Sequence, residues 1–352
     1  FTISNFIGAT IGGALTDRMG RKGMIIFGLV STSLSNLAMG LSPSLYFCYV
    51  NALVMGILSS AGGPASTAII ADLLPEEKRA DGFGILRIGF NLAVVFGPIL
   101  GGLLAARSYL ALFITDAALS SLCALLVYRF LKETHPATQA IEEKESLGAT
   151  FAGYLTVLKD NAYLLFLLAG LLSWFAYQNM NTTLRVFLRD GKGTSTQNYG
   201  LLISLNAAMV ILFQLPITTA IRKYKPLVMM AIGNVLYAVG FAMYGFVSSY
   251  LLFVVAMVII TIGEMITSPV LTALTTSYAP EHMRGRYLAI SGHVTGLAFG
   301  LGPLLAGMIF DSGSPNWMWY GSGILGMLSA LMYLGLPGKK PNPVQAVAEP
   351  ID

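Results

Sequence analysis

Apolar residues along this chain run in long stretches separated by short polar or Gly/Pro breaks, at about 1–15, 23–41, 45–71, 83–106, 109–131, 162–184, 199–221, 227–247, 251–276, 287–310 and 318–336. The stretches lack the alternation of a half-buried strand, and most reach the ~20 residues that carry an α-helix across a hydrocarbon core. The pattern predicts an all-α, polytopic membrane protein with eleven helices, the first of them short. A transmembrane barrel is excluded, because its strands are about half as long and alternate in polarity.

Only one connection is long. Residues 132–160 carry Glu142, Glu143, Lys144 and Glu145, a run too charged for lipid, followed by Phe151, Tyr154, Leu155 and Leu158 at helical spacing. This predicts a cytoplasmic linker with an amphipathic helix along the membrane surface. It divides the chain into a helical bundle over 1–131 and a second over 161–338, with a tail at 339–352.

Composition agrees with a lipid environment: 55% of residues are hydrophobic and 11% charged, where a soluble domain carries about a quarter charged. No length remains for a soluble enzyme domain. Cys48 and Cys123 both lie in apolar stretches, which excludes a disulfide framework. Basic residues gather in alternate connections, at Arg18, Arg21 and Lys22, at Lys78 and Arg79, at Arg129 and Lys132, at Arg222, Lys223 and Lys225, and at Arg284 and Arg286. The positive-inside rule makes these loops cytoplasmic, together with both termini of the intact chain, in a plasma or inner membrane. The net charge of +4 therefore reflects topology and implies no nucleic-acid partner.

The chain also repeats itself. A shift of 205 residues places Pro64 on Pro269, Pro75 on Pro280, Glu76 on Glu281, Arg79 on Arg284, Gly97 on Gly302, Pro98 on Pro303 and Gly102 on Gly307. Identities of Pro, Gly and Arg in one gapless register mark a duplicated bundle. The same shift projects one further helix before Phe1, so two pseudo-symmetric bundles of six helices are expected, with the first helix absent from this sequence.

The first basic loop reads Gly13-Ala14-Leu15-Thr16-Asp17-Arg18-Met19-Gly20-Arg21-Lys22. It resembles, position by position, the loop between the second and third helices of the major facilitator superfamily. In that family this cluster latches the two halves in the outward-facing state, and the resemblance implies the same for Gly13, Asp17, Arg18, Gly20, Arg21 and Lys22, with Asp72 within reach of Arg21. A second pattern, Gly89, Ala93, Gly97-Pro98 and Gly101-Gly102, resembles the glycine and proline motif of the antiporter branch, which is mostly drug and proton exchangers. Small residues at that spacing form one stripe that lets a second backbone approach. A third family pattern is absent: the arginine that branch carries four residues before a helix-four glycine is Ala52 here, counted from Gly56.

Charges within the bilayer are few, and each is a functional candidate. Glu264 stands near the middle of its helix, Asp116 about two turns into its own, Arg87 close to a cytoplasmic end, and His293 within the second glycine-rich helix. These are the proton-coupling candidates; pairing within the bundle or packing is the alternative for each. Trp174, Gln178, Asn181 and Arg185 recur at spacings of four, three and four, and the first three with Tyr177, Asn206 and Gln214 make the candidate substrate cavity, although interhelical hydrogen bonding explains amides there almost as well. No Walker loop, zinc-protease motif or nucleophile elbow occurs, and His135, His282 and His293 form no compact metal site, so neither a cofactor nor a metal is expected.

The reading is a secondary transporter, not an enzyme, that exports small organic molecules or drugs in exchange for protons by alternating access, as a monomer in the lipid bilayer. An importer or uniporter for a sugar or amino acid is the alternative, and a transporter-like membrane sensor a third.

Overall fold

The computed structural model describes residues 2–42, 44–134, 147–312 and 314–337. Their regular structure is helical: α1 (Thr2–Met19), α2 (Arg21–Gly40), α3 (Leu45–Ser60), α4 (Gly63–Leu73), α5 (Glu76–Arg107), α6 (Tyr109–Phe130), α7 (Leu147–Val157), α8 (Asn161–Thr182), α9 (Leu184–Val186), α10 (Thr196–Ile221), α11 (Pro226–Phe246), α12 (Tyr250–Tyr278), α13 (Arg284–Asp311) and α14 (Asn316–Gly335). Nine spans among the described residues are long and apolar enough to cross a membrane, α3 and α4 counting as one. The 18 residues of α1 and the 20 of α14 complete the eleven.

Helix ends follow local chemistry. Ser44, Ser108, Asp160 and Ser195 accept bonds from the first-turn amides of α3, α6, α8 and α10, and Pro226 opens α11, where its missing N–H costs nothing. Sequence reasoning expected one continuous helix over 45–71. The structure interrupts it between Ser60 and Gly63, where Gly62 packs against the backbone of Met24 and Gly28 and Pro64 restarts the helix in the first turn of α4. The linker carries a helix, α7, which stops at Val157 short of Leu158; the acidic run at 142–145 lies outside the described residues.

Small residues bring backbones together, but not where the glycine motif suggested. A Cβ on Gly8 or Gly12 of α1 would fall 2.1 or 2.2 Å from the carbonyl oxygens of Ile57 and Ala61 in and just beyond α3, and one on Gly285 of α13 would fall 2.2 Å from that of Gly13. On α5, by contrast, Gly89, Gly97 and Gly102 have nothing within 4 Å, and Gly101 has only Leu112 Cδ1 at 4.0 Å. The expected close approach along Gly89, Gly97, Pro98, Gly101 and Gly102 is therefore not made among the described residues. Small size permits contact without supplying a neighbour.

Candidate functional site

Where α5 of the first half meets α8, α10 and α12 of the second, four polar side chains converge. Glu264 lies 14 residues from either end of α12, near the midplane of a span with a rise of about 1.5 Å per residue. Its carboxylate forms an ion pair with Arg87 of α5 and accepts the hydroxyl of Tyr177 from α8. Asn206 of α10 donates its amide to Glu264 at 2.6 Å and to the Thr261 hydroxyl at 3.0 Å. The Arg87 and Glu264 side chains are only 13% and 4% exposed, so each charge depends on the other for compensation. Tyr237 and Trp174 close the surrounding space.

Of the residues singled out in the sequence, Arg87, Glu264, Tyr177 and Asn206 thus come together, with Trp174 against Tyr177 at their edge; Asp116, His293, Gln178, Asn181 and Gln214 do not join them. Asp116 bonds to Asn36 in the seam between α6 and α2, beside a Ser33–Ser121 pair at 2.7 Å. His293 lies 2.7 Å from the Thr10 hydroxyl and stacks on Phe6 with ring centroids 3.7 Å apart, joining α13 to α1. Gln214 was expected in a cavity and is fully buried. It donates to the Met265 carbonyl at 2.9 Å, the group that Pro269, four residues on, leaves without a helical partner. Gln178 packs against Gly302 of α13 and Asn181 is exposed, so the face shared with Trp174 is not one cavity wall. The next residue in that series, Arg185, stands in α9, beyond the end of α8.

A second cluster joins the halves at the ends that carry the basic loops. Asp17 accepts the backbone amides of Gly285 at 2.7 Å and Arg286 at 3.0 Å, at the N-terminus of α13, where the helix dipole favours an anion. Arg21 donates to Asp72 at 3.0 Å, to the Thr16 carbonyl at 3.1 Å and to the Glu281 carbonyl at 2.8 Å. Asp72 also pairs with Arg284. Gly20 adopts φ 100°, a conformation that favours glycine, and a Cβ there would strike Glu133, whose carboxylate accepts the amides of Arg21 and Lys22. Lys22 donates to the Tyr128 carbonyl at 2.7 Å, and Arg18 is exposed. From the linker, Tyr154 of α7 donates to the Thr10 carbonyl and lies against Gly13. Burial, with Asp17 nearby, pushes its phenol well above the ordinary value, so it stays a donor. Sequence reasoning did not notice Glu133, and it named Tyr154 only in the linker and Arg284 and Arg286 only as basic-loop residues; the repeat, which aligns Arg79 with Arg284, was one further pointer.

Between the two clusters lies a cavity of about 350 Å³, bounded by α1, α3, α4, α8, α12 and α13, and Trp174 separates it from the small space around Glu264. Among the described residues, the bonds between the halves reach from the basic-loop ends to the level of Arg87–Glu264 and Thr10–His293. These bonds tie the halves together at that end. Groups of His, Cys, Asp or Glu that could hold a metal are absent among the described residues.

Comparison with known proteins supplies the family. The chain is 29% identical to a Na(+), Li(+), K(+)/H(+) antiporter of Planococcus maritimus, over 92% of its own length and 82% of the relative's. It is 23% identical to the class H tetracycline resistance protein of Pasteurella multocida, over 92% and 80% respectively. Its fold matches the crystal structure of the human organic anion transporter MFSD10 (TETRAN) with a TM-score of 0.79 at 19% identity, over 94% of this chain and 81% of that one. The model of the Major Facilitator Superfamily matches residues 1–290 and, in a second match, 166–350, and the chain belongs to that superfamily of multi-pass membrane transporters.

Proposed function

We propose that this transporter exports small organic molecules in exchange for protons, with Glu264 as the proton-binding group. The observation that carries the reading is the ion pair between Arg87 in one half and Glu264 in the other, buried near the midplane, where alternating access must separate or rotate the halves. While ionised, Glu264 draws the halves together through Arg87. When one of its oxygens takes a proton, the ion pair becomes a charge–neutral contact, and the surfaces of α5 and α12 are free to part. A proton and the closed pair then exclude one another, which is what couples a conformational cycle to a proton gradient.

The latch supports the same cycle: Asp17, Arg21 and Asp72 hold the cytoplasmic ends while the centre is loaded from the other side. One relative is a cation/proton antiporter, which supports exchange, and another is a tetracycline resistance protein, which supports an organic cargo. Positively charged alternate loops favour a cell-membrane orientation with those loops on the cytoplasmic side, and nothing in the cycle needs more than one copy.

The test uses everted membrane vesicles acidified inside by respiration, with acridine orange reporting the proton gradient. Addition of tetracycline or a neutral phenyl glycoside is expected to dissipate the gradient in the wild type and not in Glu264→Gln, which keeps shape and removes titration. Dissipation by Na+ or K+ alone, or undiminished dissipation in Glu264→Gln, overturns the reading.

A further inference from the structure

The cavity of about 350 Å³ falls within the range of small-molecule sites, about 300 to 1,000 Å³. Thr272 and Thr275 follow Glu264 on α12 toward the cytoplasmic end, so the cavity lies between the ion pair and the latch. Both halves contribute walls, Ser60 and Thr67 from the first, Thr272, Thr275 and Thr295 from the second, and Trp174 lines one end. Among the described residues no Asp, Glu, Lys, Arg or His lines it. The opposite charges of Arg87 and Glu264 face the adjoining space and pair with one another.

The hydroxyls are not equivalent to water. Thr272 donates its proton to the Ser268 carbonyl at 3.1 Å, Thr275 to that of Leu271 at 2.8 Å and Thr295 to that of Ser291 at 3.1 Å. Ser60 donates to the Asn5 side-chain oxygen at 2.7 Å. Back-bonding of this kind commits the only donor a hydroxyl has and leaves its lone pairs. Four of the six lining hydroxyls, from both halves, therefore present acceptors, the other two being Thr67 and Ser291. An ion entering it would lose hydration and find no counter-charge.

We propose that this cavity is the substrate compartment and that it selects uncharged molecules rich in hydrogen-bond donors, with a planar apolar face for Trp174. The proposal rests on the transporter reading above and adds the chemical class of its cargo. A ligand of this class, donating to Thr272 or Thr295 and to Ser60 at once, bridges the two halves above the closed latch.

Isothermal titration of the full chain in detergent tests it with four probes: phenyl β-D-glucoside, its tetra-O-methyl ether, phenyl β-D-glucuronide and phenyltrimethylammonium. The glucoside is expected to bind at least about tenfold more tightly than the donor-free, anionic and cationic probes. Thr272→Val and Thr295→Val should each weaken it about fivefold, while Thr272→Ser, which keeps the oxygen, retains binding. Equal or tighter binding of any other probe, indifference to both valine changes, or no glucoside binding up to millimolar concentration overturns the proposal. The two readings fail separately. A different ranking in protein that still exchanges protons refutes the substrate class alone, and the expected ranking in protein that moves no protons refutes the coupling alone.

Discussion

On the proposed orientation, replacing Asp17 by Asn should open the cytoplasmic side. The carboxylate accepts two backbone amides, from Gly285 at 2.7 Å and Arg286 at 3.0 Å, at a buried helix N-terminus, with Arg286 Nε a further 3.8 Å contact. Hydrogen bonds to a charged group contribute about 1.5 to 3 kcal/mol each, against about 1 for a neutral one. Asparagine keeps a single acceptor oxygen and turns its amide toward the second backbone N–H, so one bond weakens and the other is lost. The closed arrangement then loses about 2 to 4 kcal/mol relative to the open one, where Asp17 and Asn are both solvated. At 1.4 kcal/mol per factor of ten, that moves the equilibrium by about 30-fold or more.

Ser291→Cys, in a background with Cys48 and Cys123 replaced by Ser, reports on it, because Ser291 lines the cavity behind the latch. The rate of alkylation by an impermeant maleimide applied to everted vesicles should rise about 30-fold with Asp17→Asn. It should stay unchanged with Arg18→Ala, since Arg18 is exposed. A rise of less than about twofold with Asp17→Asn would refute the energetic argument.

Three further outcomes are expected. Gly12→Ala should lower the apparent Tm by several degrees, because its Cβ would lie 2.2 Å from a backbone oxygen and overpacking costs about 1 to 3 kcal/mol; Gly97→Ala, with nothing within 4 Å, should not, by the same melting assay. Tyr154→Phe removes the linker's bond to the Thr10 carbonyl, worth about 1 kcal/mol, and should raise Ser291→Cys alkylation about fivefold. Asp116→Asn, whose carboxylate meets Asn36 away from the central pair, should leave the substrate-induced loss of the proton gradient intact; abolition would move the coupling group to α6.

How much of this was legible depended on the physics each feature obeys. The spans were readable because lipid demands about 20 apolar residues per helix regardless of neighbours. The break at 60–63 was not, since Gly62 and Gly63 are tolerated inside an apolar stretch and only the packing of Met24 and Gly28 against Gly62 gives the interruption a partner. Glu264 and Arg87 each stood out as a costly charge, but their meeting joins residues from different halves that no local period relates. The amides on α8 and α10 were readable as polar and not as structural: Gln214 answers a carbonyl freed by Pro269 on another helix, and a single helix's pattern contains no record of that debt.

The duplication does carry information about contacts, once the halves are placed face to face. In the 205-residue register, Arg79 corresponds to Arg284 and Asp72 to Ser277. Arg284 reaches across to Asp72, and Arg79 reaches across to Ser277 at 3.4 Å. The same register aligns Asp17 with Arg222 and Asp81 with Arg286. Arg286 stands 3.8 Å from Asp17, and Arg222 stands 3.0 Å from Asp81, with the signs exchanged. The closure at the basic-loop end is thus built twice, by equivalent positions of both halves, as expected for a bolt that must hold whichever half rotates. The centre is not. Glu264 corresponds to Ser59 and Arg87 to Gly292, so neither member of the buried pair has a charged counterpart. A symmetric closure shows that the repeat is still in force at the gate, and its loss at the midplane marks where the halves have been differentiated. On the proposed reading, that asymmetry leaves one titratable acid at the central pair, and the exchange it supports carries one proton through it per cycle.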